Sequence, residues 1–505
     1  MKIQLCVFWL LILHLSASSA QHRQVYVVYF GEHSGEKTTC EIADDHHSYL
    51  LYVKGSKEEA KASLIYSYKN VINGFSVTPD EATKLSGGEA KNPYEELLQK
   101  ANYGKDIIVG VLDSGIWPES QSFSDEGMEP IPKSWKGKCQ TGVDFNRSHC
   151  NRKIIGARYY LKSCEERFGR LNNGEDYRSP RDKDSPGTHT ASTVGGGRRV
   201  ANVSGPGDFA SGNASGGAPL VRLAIYKACW SIKGPSKADG NTCLDDDLLA
   251  AIDDAICDGV HVLSISLGGT RSRPYTEDGI AIGTLHAVKR NIEVVCSAGN
   301  PGPSPKTVTN IAPWMITVTA SSIDRDFPSA VVLGNQMKVV GLIVTPFKLK
   351  QGKIHRVIYA KDAEVPGNMP PRYPFSKPSE RKDCSVMGIE REECFGGIAL
   401  PLMDGFAIVN YTRNSTNPTA TLVPGTTVSA HASRHIARNS DPRVYWQPDI
   451  TAPGMNILAA WSEAISPTKL EDDHRVFKYS FDSGTSMSCP HVTAVAALLK
   501  AIHPS

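Results

Sequence analysis

The chain has 505 residues, of which 40% are hydrophobic and 21% are charged, and its formal net charge at pH 7 is +2. This composition excludes a disordered chain and leaves room for more than one domain. The near-neutral charge gives no reason to expect nucleic acid or an anionic membrane as a partner.

The N-terminus has the pattern of a secretory signal peptide. Lys2 precedes an apolar run over residues 5–15, and small residues at 18–20 follow it as a cleavage site. The apolar run is too short to span a bilayer and no later segment exceeds it, so we expect no membrane anchor. We therefore predict that residues 1–20 are a signal peptide and that the protein is secreted and extracellular.

Export makes the twelve cysteines candidates for disulfide bonds, and removal of Cys6 with the signal peptide leaves eleven. An odd number means that one cysteine stays free or pairs with another molecule. Two pairs flank short loops, and we predict disulfides within them: Cys139 with Cys150, and Cys229 with Cys243. For the other cysteines the sequence leaves both disulfides and buried thiols open.

An exported protein can also carry N-linked glycans. Five Asn-X-Ser/Thr motifs meet the sequence requirement for glycan attachment. We predict glycan sites on surface loops at Asn146, Asn202, Asn213, Asn410 and Asn414.

Residues 21–91 have the pattern of a small α+β domain. Strands are predicted at 24–30, 65–68 and 73–75, with a charged helical stretch around 56–64. The simpler alternative is a plain N-terminal strand and helix.

From about residue 92 the chain alternates strands and helices. Apolar strands without two-residue alternation, separated by helices of about 10–15 residues, predict a parallel sheet covered on both faces. The predicted fold class is therefore α/β, a doubly wound parallel sheet preceded by the small α+β domain. The predicted strands are 106–112, 221–226, 260–266, 292–297 and 315–320, and the predicted helices are 244–257 and 279–289.

Three polar side chains lie where such a fold binds ligands. Asp113 and Asn300 each follow the carboxyl end of a predicted strand, the edge at which open α/β sheets hold ligands. Ser486 follows Gly484 and opens an apolar helix, so its hydroxyl lies beside the free N–H groups of the helix start. Helix capping and turn formation are the commoner roles of such residues.

The stretches around these three residues carry a family resemblance. In chain order they resemble the aspartate, oxyanion-hole asparagine and serine motifs of the subtilisin-like serine proteases: 109–116, 295–300 and 484–491. The resemblance implies a serine endopeptidase that acts on protein or peptide substrates with no metal or cofactor. It further implies that Ser486 is the nucleophile, that Asp113 orients the base and that Asn300 holds the oxyanion.

Flanking segments are similar to the plant branch of that family, namely 114–120, 145–147 and 151–158. The similarity covers most of residues 24–320 and 446–505. It implies that residues 21–91 are a shortened inhibitory propeptide that binds the chain's own catalytic domain, and, in a plant, that the protein reaches the cell wall or apoplast. The family's propeptide ends in a segment that lies in the active-site cleft, and that connection is missing between Gly88 and Asn92.

Two further segments resemble the walls of the family's primary specificity pocket. They hold Ser266, Leu267 and Gly268, and Ser297, Ala298 and Gly299. Glycine at such positions lets an extended peptide approach the backbone closely. On their own, these segments would be ordinary turns that follow strands.

The stretch 179–193 departs from the family. The family pattern Gly-His-Gly-Thr-His carries the catalytic base at its first histidine, and that position is Pro186 here. His189 matches only the second, non-catalytic histidine. Ser185 as N-cap and proline at the first helical position suit a helix start, so the substitution should not disturb folding.

Other departures concern the rest of the predicted catalytic domain, 92–505. We expect a degenerate, irregular insert at about 335–445, because prolines interrupt it and the family's glycine-rich strand-helix unit is absent. The segment 437–442 differs from the family motif before Gln447, and we expect that the domain is incomplete beyond Ser505.

These departures leave two hypotheses open. The first is an active endopeptidase, and the second is an inactive pseudoprotease or truncated product that at most binds peptides, because the base is missing. A nucleotide-binding protein is excluded, because no glycine-rich phosphate loop opens a helix after Asp113.

Overall fold

The computed structural model describes single positions between 43 and 68 together with residues 26–31, 64–68, 73–77, 93–232, 241–269, 271–302, 306–342, 354–357, 402–423, 425–429, 448–469 and 473–504. They belong to two compact units, Met1–Glu96 and Leu97–Ser505. The predicted signal peptide, the connection before Asn92 and the segment 437–442 lie outside the described residues.

The smaller unit contains an antiparallel sheet. Its strands β1 (Tyr26–Gly31), β2 (Leu64–Tyr68) and β3 (Asn73–Val77) pair in the order β1-β3-β2. Valine and tyrosine fill β1, and both residue types favour extended backbone. The three predicted strands are therefore present, while most of the predicted helix at 56–64 lies outside the described residues.

The larger unit contains one main sheet and several short strand pairs. Its strands in chain order are β4 Ile108–Asp113, β5 Ile154–Tyr159, β6 Val200–Val203, β7 Gly212–Ala214, β8 Arg222–Lys227, β9 Cys229–Trp230, β10 Thr242–Cys243, β11 Val262–Ile265, β12 Glu293–Ser297, β13 Ile316–Ser321, β14 Arg325–Asp326, β15 Pro328–Leu333, β16 Lys338–Leu342, β17 Ile354–Arg356, β18 Thr419–Leu422, β19 Val428–Ser429, β20 Ile450–Pro453, β21 Ile457–Ala460 and β22 Tyr479–Asp482.

The α-helices of the described chain that extend over several turns are α1 Pro93–Lys100, α2 Lys162–Phe168, α3 Pro186–Gly195, α4 Asp245–Asp258, α5 Gly279–Val288, α6 Leu402–Asn414 and α7 Thr485–Ile502. The predicted helices at 244–257 and 279–289 correspond to α4 and α5. Within the described part of the chain, no helix is both long and apolar enough to cross a membrane.

The main sheet has the order β20-β13-β12-β11-β4-β8-β5, and every neighbouring pair is parallel. From β4 the chain runs outward to β5, returns to β8, and continues from β11 on the other side of β4. The strand order therefore reverses between β4 and β11, and the carboxyl ends of these strands border the crevice in which doubly wound sheets bind ligands. The predicted α/β class is confirmed.

Both faces of the sheet are covered, as β4 shows. Ile108 and Leu112 pack on the side of α4 and α5, whereas Val109 and Val111 pack on the side of α3 and α7. This alternation follows from the two-residue period of a strand. The fully buried alanines of α7, among them Ala494, let that helix lie close to the sheet and fix its first turn above the strand ends.

The insert differs from our expectation. Its described residues form the helix α6 and the strands β16, β17 and β18, which join β15, the strand just before the insert, in an antiparallel sheet of order β16-β15-β18-β17. The irregularity predicted for 335–445 is therefore wrong for these residues. The prolines behind that prediction, 366–378, lie outside the described part, and the described strands are rich in Val and Thr, which favour extended backbone.

Both predicted disulfides are present. Cys139 and Cys150 close a loop beside β5, and Cys229 and Cys243 are cross-strand partners in the β9–β10 pair. The other described cysteines are free thiols, three of them buried and one exposed: Cys164, Cys296 and Cys489, and Cys257.

We expect peptide mapping without reduction to recover these two cross-links from secreted protein. The bonds join residues 11 and 14 positions apart, and closing loops of this length in the unfolded chain stabilises the fold by about 3 kcal/mol each in the chain-entropy model. Alkylation of all four cysteines before reduction would contradict the prediction. Cys257 is the internal control, because it is an exposed free thiol and should be alkylated in either case.

Candidate active site

Asp113 is the last residue of β4, at the point where the strand order reverses. It is only 3% exposed, and its carboxylate accepts hydrogen bonds from the Ser114 N–H at 2.8 Å and from Thr190 Oγ1 at 3.0 Å. Burial raises the pKa of Asp113 to about 7, and the nearby carboxylates Asp182 and Asp184 add to this shift while the two hydrogen bonds oppose it. No histidine of the described residues hydrogen-bonds to Asp113.

The start of α3 is held beside Asp113 by one buried carboxylate. Asp182 Oδ1 accepts from Ser185 N at 2.9 Å and from Ser114 Oγ at 3.0 Å. Asp182 Oδ2 accepts from Thr188 N at 2.8 Å and Thr188 Oγ1 at 2.6 Å. These bonds satisfy N–H groups that a helix start leaves unpaired and tie α3 to the loop after β4.

This arrangement corrects one detail of the sequence analysis. Ser185 precedes α3, but its side chain does not cap the helix, and its backbone is left-handed with φ of +85°. Its hydroxyl instead accepts from Ser462 N at 3.0 Å. Asp182 performs the capping from three residues upstream of Ser185, because its loop folds back over the helix start.

Pro186 is the first residue of α3, where the sequence predicts it. His189 lies one turn further along, fully buried, and its Nε2 is 2.9 Å from the Ile457 carbonyl oxygen. Its ring is perpendicular to that of Trp461, at a centroid distance of 6.3 Å. Burial lowers the pKa of His189 below its usual range. The described hydrogen bonds thus direct His189 to β21 and not to Asp113.

Ser486 lies in the first turn of α7 and is partly exposed. Its hydroxyl donates to the Ser266 carbonyl oxygen at 2.9 Å, and Ser266 Oγ donates to the Ser486 carbonyl oxygen, also at 2.9 Å. This reciprocal pair anchors the helix start to the end of β11. Among the described residues, the Ser486 hydroxyl has no histidine partner.

Asn300 lies beside the same helix start. Its Oδ1 accepts from the Thr485 N–H and from Thr485 Oγ1, both at 3.0 Å. Thr485 Oγ1 also accepts from Gly299 N at 3.1 Å. With Oδ1 bonded to Thr485, Nδ2 is the donor side of the Asn300 amide, and it would lie 3.1 Å from a Cβ at Gly484, just before the helix start.

The two predicted wall segments lie side by side after β11 and β12. Ser297 Oγ donates to the Leu267 carbonyl oxygen at 3.1 Å, and Ala298 N donates to the Val318 carbonyl oxygen at 2.9 Å. Gly268 and Gly299 both face Thr309, whose Oγ1 would lie 2.8 Å and 2.9 Å from a Cβ at these positions. The walls can therefore approach each other only because both residues lack a side chain.

The structure brings most of the predicted site together and separates two groups from it. Asp113, Asn300 and Ser486 all lie at the carboxyl edge of the main sheet, together with the wall segments. The four disulfide cysteines and the five predicted glycan sites lie elsewhere.

All five glycan-site asparagines are exposed, as predicted. Their location on loops was wrong for four of them: Asn202 is in β6, Asn213 in β7, and Asn410 and Asn414 are in α6. A sequon requires an accessible asparagine, and surface strands and helices provide one as loops do.

Sequence reasoning missed three residues of this region: Asp182, Thr190 and Asn310. Each has at least one partner that is distant in sequence, and short polar residues of these types occur in most turns. The only local signal was Thr190, which directly follows His189 in the motif that the sequence analysis aligned.

A buried parallel sheet with a serine on the first turn of a central helix, an asparagine amide beside it and a carboxylate at a neighbouring strand end defines a serine hydrolase of the α/β class. The model of the subtilase family matches residues 104–505, and that of peptidase inhibitor I9 matches residues 25–88. The chain belongs to the subtilase family and is a serine-type peptidase by family.

Curated relatives from plants agree with this assignment. The chain is 46% identical to subtilisin-like protease SBT5.6 and 42% identical to subtilisin-like protease SBT5.5, both of Arabidopsis thaliana, and each alignment covers 98% of this chain and 74% of the relative. It is 37% identical to subtilisin-like serine-protease S of Lotus japonicus over 95% of this chain and 71% of that protein.

Proposed function

We propose that the protein is a secreted endopeptidase that hydrolyses peptide bonds through Ser486. The observation that carries the proposal is the Asn300–Thr485–Ser486 arrangement, in which the amide and the nucleophile are held at one helix start. Attack of Ser486 Oγ on the carbonyl carbon would place the oxyanion between Asn300 Nδ2 and the Ser486 N–H. Donors fixed before the reaction stabilise such charge strongly, at about 2.7–4 kcal/mol for one donor.

Asp113 would orient the base and stabilise its charged form. In this chain Pro186 occupies the position at which the family pattern has the base, and the described bonds of His189 lead elsewhere. The hydroxyl of Ser486 is correspondingly bonded to a backbone carbonyl oxygen. Without a base to accept the serine proton, hydrolysis should be far slower than in a complete site.

This observation favours a second candidate function, a pseudoprotease that binds peptides without hydrolysing them. The wall segments and the oxyanion donors do not depend on residue 186, so peptide binding would survive the loss of the base. The protein's partners would then be peptides and its own N-terminal unit.

Comparison of the unmodified protein with Ser486→Ala distinguishes the two candidates. Slow peptide cleavage that disappears in Ser486→Ala supports the endopeptidase. Equal background cleavage by both proteins, together with equal peptide binding, supports the pseudoprotease. Cleavage that persists in Ser486→Ala would show that another group or a contaminant is responsible, and it would overturn the role of Ser486.

We further propose that residues 1–20 direct secretion and that 21–91 act as an inhibitory propeptide. The I9 match over residues 25–88 supports the second assignment. The predicted destination of the secreted protein is the extracellular space, which in a plant is the cell wall or apoplast.

We expect secreted protein to keep its N-terminal unit. Propeptides of this class are removed by the enzyme's own catalysis, and the site with Pro186 would lack the base for that step. N-terminal sequencing of protein secreted by a host without other subtilases should therefore give a start near residue 21. A start near Asn92 in both the unmodified protein and Ser486→Ala would show cleavage by another protease, and a start there in the unmodified protein alone would contradict the prediction.

A further inference from the structure

Asn310 connects the two wall segments through a single amide group. Its Nδ2 donates to the Leu267 carbonyl oxygen at 2.7 Å and to the Ser297 carbonyl oxygen at 2.7 Å. These carbonyl groups lie just beyond the ends of the parallel pairing between β11 and β12, whose last paired residues are Ile265 and Cys296. The amide thus continues the connection between the two strands where their backbone hydrogen bonds stop.

The residue is itself rigidly held. Asn310 is 4% exposed, and its own carbonyl oxygen accepts from Thr317 Oγ1 at 2.5 Å. Its backbone is left-handed, with φ of +54°, a conformation that asparagine tolerates better than most residues. The preceding residue, Thr309, packs between Gly268 and Gly299 of the two walls.

Space for a ligand group lies directly beside this connection. Gly269, Thr309 and Asn310 line a cavity of about 1080 Å³. On its far side the Asp245 carboxylate binds Arg273 through two hydrogen bonds of 2.6 Å and 2.8 Å. Asn310 and Gly269, which directly follows the first wall segment, therefore border an existing cavity.

We propose that Asn310 is a positioning residue that fixes the separation of the wall segments, and that this separation determines how well the site discriminates between small and large substrate side chains. The inference rests on the proposed function, because it requires a peptide to occupy the cleft between the walls. Both carbonyl oxygens lie within hydrogen-bond distance of one nitrogen, so separating the walls would break at least one of these bonds.

Asn310→Gly tests this idea with a matched control, Asn291→Gly. Both asparagines have left-handed backbones, with φ of +54° and +62°, and glycine accepts both conformations. Asn291 follows α5 and accepts from Lys500 Nζ through Oδ1 and its backbone oxygen, and it does not contact the walls. Loss of its side chain should affect stability but leave peptide selection unchanged.

The measurement is the binding, by fluorescence anisotropy, of labelled peptides that differ only in having Ala, Leu or Phe at one position. We expect Asn310→Gly to move the ratio of the Phe and Ala dissociation constants at least about fivefold toward one, because a hydrophobic pocket discriminates even a single methylene by roughly 10–200-fold. Asn291→Gly should leave this ratio unchanged. An attached N-terminal unit would weaken the binding of all three peptides by the same factor and would not alter the ratio.

A second variant separates the amide donors from the size of the residue. Asn310→Asp keeps the shape and tolerates the left-handed backbone, but an ionised carboxylate cannot donate to either carbonyl oxygen. It should move the ratio of the Phe and Ala dissociation constants toward one, as Asn310→Gly does. In both Asn310 variants, hydrogen exchange should also become faster at residues 266–269 and 297–299. A ratio that stays at the unmodified value in either folded Asn310 variant would overturn the inference alone. If the unmodified protein binds none of the peptides, the proposed function is overturned, and the inference with it.

Discussion

Replacing Pro186 with histidine should raise peptide hydrolysis by about 10³-fold or more. Removal of the base from a Ser-His-Asp unit costs about 10⁶-fold in kcat, whereas the oxyanion donors and the binding surface retain their share of catalysis. The new imidazole would start on the first turn of α3, within the segment that Asp182 holds against the loop after Asp113.

Full recovery is not expected, because the residue before position 186 is not glycine. Ser185 has a left-handed backbone, which is strained for serine, and its hydroxyl is tied to Ser462 N. The rate of peptide hydrolysis by Ser185→Gly combined with Pro186→His should therefore differ from that of Pro186→His alone, because glycine relieves the strain at position 185 and also removes one hydrogen bond. Comparing the two shows how precisely the backbone must place the base.

The assay is peptide cleavage together with labelling by a serine-directed fluorophosphonate. Ser486→Ala and Asp113→Asn, each combined with Pro186→His, serve as controls and should remove most of the gain. Background rates in a folded Pro186→His protein would show that restoring a base at this position is not enough for catalysis. Activity of the unmodified protein that is lost in His189→Ala would show instead that His189 serves as the base.

Asp113→Asn in the unmodified protein should make folding stability less dependent on pH. The folded protein holds the Asp113 proton up to about pH 7, compared with 3.8 for an unperturbed aspartate. Because this pKa is raised, its contribution to stability is complete below about pH 4 and is lost as the pH rises through 7. Asparagine has no such proton. As the pH rises from 4 to above 7, the free energy of unfolding of Asp113→Asn should therefore increase relative to that of the unmodified protein.

The shift should be on the order of 4 kcal/mol between pH 4 and pH 8, since each pKa unit corresponds to about 1.4 kcal/mol. Urea unfolding of both proteins at several pH values measures it, and the buried histidines contribute equally to both and cancel in the difference. A difference that does not change with pH would show that Asp113 is ionised throughout. Pro186→His provides a further check, because a nearby imidazolium should lower the pKa of Asp113 and reduce the pH dependence.

The main sheet and the positions of the three central candidate residues could be predicted because their signals are local. Asp113 and Asn300 each end an apolar strand, and strand ends of a parallel sheet meet at one edge. Ser486 precedes a run of small apolar residues, which marks a buried helix. These placements needed no information about distant parts of the chain, whereas the roles of the three residues came from the family resemblance of the three stretches together.

The connections between these residues could not be predicted, since they depend on how distant loops fold over one another. Asp182 caps α3 from three residues before Ser185 because its loop folds back over the helix start, whereas the local pattern assigned that role to Ser185. Asn310 acts on Leu267, 43 positions away, and on Ser297, 13 positions away. In the insert, the prolines at 366–378 led to a prediction of irregular structure for the whole segment, although other parts of it form strands and a helix.

The hydrogen bonds that Asp182 accepts at the start of α3 affect how this sequence can evolve. Because the start of α3 is secured by residues 114, 182, 185 and 188, the side chain at position 186 is not needed for folding. A histidine codon becomes a proline codon by one nucleotide change, and cellular quality control, which detects misfolding, would not detect that change. The base can therefore be lost or regained by mutation without a misfolded intermediate. Selection for catalysis, and not selection for folding, then decides which residue remains at position 186.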